Sequence, residues 1–178
     1  MIAPAFKAEI RPCCYWLTGL SGAGKSTLAQ EFKRRLDEYG LPVVVLDGDE
    51  LRQGLNAGLG FSREDRAENV RRIAHVAKLF VEAGLVAVVS VIAPYREDRA
   101  KNRQIFNELP YFEVFVDAPL GVCQKRDPKG LYARHLHGFT GVSAPYEVPQ
   151  TPDIRLSTDR DDLHTCVEII LRHLTQQK

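Results

Sequence analysis

Gly19-Leu20-Ser21-Gly22-Ala23-Gly24-Lys25-Ser26 is the stretch on which the fold turns. It has the spacing G-x-x-x-x-G-K-[ST], follows the apolar run Cys13 to Thr18, and opens a segment of helical periodicity. The physical content of the pattern is a phosphate cradle. Glycines let successive backbone N–H groups curl around phosphate oxygens, and the start of the following helix adds partial positive charge. Lys25 can reach the β- and γ-phosphates, while the Ser26 hydroxyl is placed to ligate Mg²⁺. Gly22, Ala23, Gly24, Lys25, Ser26 and Thr27 are therefore the predicted nucleotide-binding residues, with ATP and Mg²⁺ as cofactors. A chance match at all four fixed positions is rare in a chain of this length, and the position between a strand and a helix makes it rarer.

Outward from this loop, strand-like runs alternate with helix-period segments, the signature of a parallel sheet covered by helices. Strands are predicted at Cys13 to Thr18, Pro42 to Leu46, Leu85 to Ile92, Phe112 to Val116 and Ile154 to Leu156. Helices are predicted from Ser26 to about Tyr39, from near Ser62 to Gly84, from Arg96 to Glu108, from Leu120 to Arg126 and from Asp162 to Leu174. Ser62 and Asp65 have capping-box spacing, and Val70, Ile73, Ala74, Ala77, Phe80 and Val81 form an apolar stripe behind them. In the last helix Leu163, Val167, Ile170, Leu171 and Leu174 are read as inward-facing. The expected architecture is one three-layer α/β domain over residues 1–178 with a mainly parallel sheet. Between Asp127 and Asp153 the periodicity disappears under a run of prolines and glycines, with Tyr132, Phe139 and Tyr146 interleaved. A structureless segment of this length in a compact domain is uncommon unless functional, and these aromatics suit a mobile lid.

Composition narrows the function. The chain has 178 residues, 44% hydrophobic and 26% charged, with a net charge of +1. That balance is globular and supplies no field for holding a polyanion, so a nucleic-acid partner is not expected. No run approaches membrane-span length, and Met1 to Arg11 lacks an apolar core of signal-peptide length. Cys13, Cys14, Cys123 and Cys166 have no zinc spacing and read as reduced thiols of a cytoplasmic protein.

The remaining chemistry is carried by carboxylates and arginines. No Asn-Lys-x-Asp segment for reading guanine occurs, and the third strand ends without an acid. The acids instead follow the second strand as the turn Asp47-Gly48-Asp49, where one could assist Mg²⁺ or draw the proton from an acceptor hydroxyl. The stripe of the long helix, continued backward, reaches Arg66, with Asn69 beside it, and Arg52 follows the acidic turn. Two guanidinium groups with an amide suit a small, doubly anionic substrate. Arg63, Arg71 and Arg72 are read as solvated.

These segments resemble the adenylylsulfate (APS) kinase family over nearly the whole chain from Tyr15 onward. Matching stretches include Leu46-Asp-Gly-Asp49, Leu59-Gly-Phe-Ser62, Asp65-Arg-Ala-Glu-Asn-Val-Arg-Arg72, Arg126-Asp-Pro-Lys-Gly-Leu-Tyr132 and Gly138-Phe-Thr-Gly141. The resemblance implies transfer of the ATP γ-phosphoryl to the 3′-hydroxyl of adenosine 5′-phosphosulfate, giving its 3′-phospho form for sulfate activation. It implies a five-stranded sheet with the P-loop strand central, and a homodimer. It gives Asp47 and Lys25 catalytic roles, and makes Asp49, Arg52, Phe61, Arg66, Asn69, Ile92, Ala93, Lys129, Phe139 and Thr140 substrate-binding residues. Many relatives carry Ser-Pro-Tyr or Ser-Pro-Phe after the third strand, where this chain reads Ala93-Pro94-Tyr95. A serine-borne phosphate is therefore excluded at that position, leaving direct in-line transfer. The lid stretch Ala133 to His137 is also shorter than usual, and His135 and His137 lack a third partner for a metal site. Two other readings keep the P-loop: a nucleotide-binding regulatory module without transfer, and a kinase for another small acceptor.

Overall fold

The computed structural model describes residues 10–134 and 138–177. In chain order the elements are β1 Cys14–Thr18, α1 Lys25–Glu38, β2 Val43–Asp47, α2 Gly48–Gln53, α3 Arg63–Glu82 and β3 Val86–Ser90. They continue with α4 Arg96–Phe106, β4 Tyr111–Asp117, α5 Leu120–Arg126, β5 Ile154–Ser157 and α6 Leu163–Gln176. The strands form one five-stranded sheet in the order β2-β3-β1-β4-β5. Every pairing in it is parallel. β1, which leads into the P-loop, is central as expected.

Residues of β1 alternate between two cores, as a period of two requires. Cys13, Tyr15 and Leu17 face Leu28, Phe32 and Leu36 of α1 and Val167, Ile170 and Leu174 of α6. Cys14 and Trp16 face Val70, Ile73, Ala74, Ala77 and Val81 of α3 and Phe106 of α4. Each fully buried large side chain of this kind contributes about 1.5–3 kcal/mol. The adjacent Cys13 and Cys14 thus point to opposite faces, and all four cysteines are free and buried.

Three helix starts are closed by their own side chains. Asp47 accepts from the Asp49 N–H, Ser62 from that of Asp65, and Asp162 from that of Thr165. α1 opens differently, on Gly24 with φ of 103° and no side-chain cap, leaving its first N–H groups directed at the loop.

The structure corrects several boundaries and two faces. Asp47-Gly48-Asp49 is not a turn but the start of α2, because Asp47 caps the chain directly into a helix. Leu163 is not inward: as the first residue of α6 it is 39% exposed and borders the cleft described below. Arg63 is not simply solvated, since its guanidinium holds the buried Asp98 through two N–H donors, at 2.7 and 3.0 Å, and lies over the Tyr95 ring. Within the segment 127–153, the portion after Ala144 is packed on the body. Glu147 donates its N–H to the Pro94 carbonyl, and the Tyr146 hydroxyl lies 3.0 Å from that of Thr18. His135 and His137 lie outside the described residues.

Candidate active site

The C-terminal ends of β1, β2 and β3 open into a cleft of about 970 Å³. That is the upper end of the range for one small ligand, so it has room for two. Every residue singled out from the sequence for the site lines it.

The donor half is the P-loop. Gly19 has φ of 155°, and a Cβ there would stand 2.4 Å from the Val116 carbonyl oxygen, so only glycine lets the loop pass over β4. A Cβ on Gly22 would meet the Cys123 carbonyl oxygen at 2.8 Å. Lys25 donates to the carbonyls of Gly19 at 3.0 Å and Leu20 at 2.7 Å. Burial lowers its pKa to about 8, with the Asp49 and Asp47 charges pulling weakly the other way. Ser26 donates to Asp47 Oδ2 at 2.6 Å and lies 3.2 Å from the Ser90 hydroxyl.

Ser90 is a site residue that sequence reasoning missed. In the sequence this strand end is notable for the acid it lacks, whereas in the fold its hydroxyl is what faces the P-loop serine. A second missed group is Arg126, Thr158, Asp161, Leu163 and Cys166, which line the same cleft. Thr158 ties this wall to the P-loop by donating to the Ala23 carbonyl at 2.7 Å. Its available signal was Leu163, which lies one turn ahead of the buried stripe.

The opposite half carries the arginines. The Arg52 guanidinium lies 4.4 Å from the centre of the Phe61 ring, and Arg66 lies 5.7 Å from it. Phe61 itself is 66% exposed, so its ring has area free to receive a ligand. Burial, and then the neighbouring Arg66 charge, lowers the Arg52 pKa. Two cations brought this close make a local anion site that the net charge of +1 hides. Asn69 is 7% exposed and its Oδ1 has no hydrogen-bond partner among the described residues. Thr18 holds the Ile92 carbonyl at 2.5 Å, and the next residue, Ala93, has φ of 44°. A non-glycine residue in such a conformation costs of order 1–3 kcal/mol, a strain typical of functional loops.

The described residues of the segment 127–143 cover this half. Arg66 donates to the Thr140 hydroxyl at 2.7 Å and the Gly138 carbonyl at 2.6 Å. Lys129 pairs with Asp49. Phe139 meets Tyr132 edge to face at 4.8 Å, and Tyr132 donates to the Ser21 carbonyl at 2.8 Å. One covering segment thus touches both halves. The arrangement can bind a nucleoside triphosphate at one end, fix an anion at the other, and shield the space between from water.

A family profile described as adenylylsulphate kinase matches residues 11–157. An adenylyl-sulfate kinase of Paraburkholderia xenovorans is 52% identical over 168 residues, 92% of this chain and 93% of the relative. One from Clostridium kluyveri is 49% identical, over 90% of this chain and 82% of the relative. A solved APS kinase of Mycobacterium tuberculosis, in complex with AMPPNP and APS, superposes with a TM-score of 0.88 at 46% identity. That match covers 94% of this chain and 99% of the solved one.

Proposed function

Given that the chain belongs to the adenylylsulfate kinase family, we propose that its cleft transfers the γ-phosphoryl of ATP to the 3′-hydroxyl of adenosine 5′-phosphosulfate. The observation that carries this reading is the juxtaposition across one cleft. The P-loop lies on one side, the Arg52–Phe61–Arg66 cluster on the other, and Asp47 stands between them on Ser26.

In this reading the P-loop amides and Lys25 hold the phosphates and stabilise charge that spreads over the transferring group. The acceptor's phosphosulfate is gripped by Arg52 and Arg66, its base rests on Phe61, and Asn69 offers its unpaired oxygen to a donor on the same nucleotide. Ile92, Ala93, Phe139 and Thr140 shape the rest of that half, and Lys129 reaches it from the lid. Asp47 takes the proton of the acceptor hydroxyl. Ser26 and the Asp49 N–H each occupy one of its oxygens, which fixes the carboxylate and leaves a further lone pair on each.

The donor set fits Mg²⁺. A hydroxyl, a carboxylate 2.6 Å from it and a second hydroxyl are hard oxygen ligands, and this ion is held by few protein groups together with substrate phosphates. Ser26 would ligate it, with Asp47 orienting its shell. When bound it supplies charge neutralisation at the β- and γ-phosphates.

A homodimer and a cytoplasmic location complete the proposal. The second is supported by four buried free thiols, which suit a reducing compartment. Sedimentation of the purified chain tests the first. The functional reading is tested by coupled ADP release with and without adenosine 5′-phosphosulfate. Release that depends on the acceptor is expected, and release indifferent to it refutes the assignment.

A further inference from the structure

Asp98 and Arg99 open the second half of α4's first turn, are each 4% exposed, and do not line the cleft. Of their partners, Ala93 lines it, Glu147 holds its neighbour Pro94, and Arg63 lies one turn ahead of the lining residue Arg66. Arg99 spreads its guanidinium in three directions. Nε donates to Glu113 of β4 at 2.6 Å, one terminal nitrogen to the Ala93 carbonyl at 2.7 Å, and the other to the Glu147 carbonyl at 2.6 Å. Glu147 returns the contact: its N–H meets the Pro94 carbonyl at 2.8 Å, and its carboxylate caps α4 at the Arg96 N–H at 2.8 Å. Asp98 accepts both terminal nitrogens of Arg63, the first residue of α3, one turn ahead of Arg66.

We propose that Asp98 and Arg99 are positioning residues for the acceptor: through Arg63 they fix the end of α3 that carries Arg66 and Asn69, and through Ala93 and Glu147 they fix the floor of that pocket and the root of the lid. This rests on the assignment of that half of the cleft to the acceptor. Arg99 holds the carbonyl of Ala93, the one residue of the floor with positive φ. A planar guanidinium can serve three acceptors in three directions, whereas a lysine ammonium at the same place has no such fork. The donor groups themselves make none of these contacts: Lys25, Ser26 and Thr158 are held by the P-loop, Asp47 and Ala23, and the link to the floor runs through Thr18, which donates to the Ile92 carbonyl at 2.5 Å and reaches that of Ala93 at 3.5 Å.

The test uses the full chain with Arg99→Lys and Asp98→Asn. For each, thermal melting, binding of a non-hydrolysable ATP analogue, acceptor KM and kcat, and the rate of tryptic cleavage between Arg126 and Arg134 are measured. Arg99→Lys is expected to raise acceptor KM by about tenfold or more while ATP-analogue affinity stays within about twofold, and to speed lid cleavage. Asp98→Asn should raise acceptor KM by about fivefold without changing lid cleavage, because it releases α3 alone. If Arg99→Lys fails to fold, the volume-conserving Asp98→Asn decides. Acceptor KM and ATP affinity that move in parallel, or that both stay unchanged, overturn the positioning role in a chain whose wild type responds to the acceptor. A wild type indifferent to adenosine 5′-phosphosulfate overturns this inference together with the functional reading.

Discussion

Lys25 offers the sharpest test of the donor site, because its ammonium titrates inside the working range. Burial lowers its pKa from 10.5 to about 8. Nucleotide phosphates beside it favour the charged form, so binding draws a proton onto the lysine above that pH. The free lysine is charged in about three-quarters of molecules at about pH 7.5 and in about one-tenth at about pH 9. Affinity for a non-hydrolysable ATP analogue should therefore fall by up to about tenfold across that interval, or about 1 kcal/mol. Calorimetric titration in buffers of different ionisation enthalpy measures both the affinity and the proton uptake. Lys25→Ala should bind weakly with no such slope and no uptake. The same linkage has a stability arm. A lysine whose folded pKa lies below its unfolded value leaves the unfolded chain with more bound protons between about 8 and 10.5, so its contribution to stability rises with pH over that window. Flat affinity between the two pH values, or the same slope in Lys25→Ala, refutes the placement of this cation at the phosphates.

Four other outcomes are expected. Arg66→Ala should weaken acceptor affinity by about ten- to a hundredfold, the loss of one charge-assisted contact of roughly 1.5–3 kcal/mol, while barely changing ATP binding. The reverse pattern in equilibrium titrations would mean that the two half-sites are exchanged. Asp47→Asn should lower kcat far more than it weakens acceptor binding, since a proton acceptor matters most as charge develops; equal losses would make it a binding group. Incubation with ATP alone should leave no stable phosphate on the protein by intact mass, because Ala93 has no hydroxyl to carry it. Gly19→Ala should destabilise the chain in thermal melts by roughly 1–3 kcal/mol, since its Cβ would be forced against the Val116 carbonyl; an unchanged melting temperature would contradict that contact.

Much of this molecule is legible in the chain because its signals are periodic or stoichiometric. Alternation along Cys13 to Leu17 announces a strand with two faces, and the α3 stripe from Val70 to Val81 announces one buried side. Ser62 caps its helix as the capping spacing requires. What escaped is what depends on a partner far away in sequence. Asp47 looks like a turn residue until its side chain is seen capping α2 and accepting from Ser26. Ser90 is an unremarked strand end until Ser26 is beside it. Leu163 fits the helical period of α6 yet lies beyond the sheet's cover, so periodicity alone misplaces it. Arg63 reads as one more surface charge, and only the arrival of α4 supplies the buried carboxylate that claims it.

The sheet order also dictates a sequence of events during synthesis. β1 precedes the other four strands of the sheet in the chain, yet its neighbours are β3 and β4, not the β2 that follows it. The phosphate loop in turn rests on the end of β4 at Val116 and on Cys123 of α5. Nascent chain emerging from the ribosome therefore carries the complete Gly19–Thr27 motif long before anything exists to mould it. Pairings between such distant segments form slowly, because loop closure must precede them. Until Tyr111–Asp117 has been made, β1 lacks one of its two partners, and its apolar residues Trp16 and Leu17 belong to an incompletely paired strand of the kind that favours aggregation.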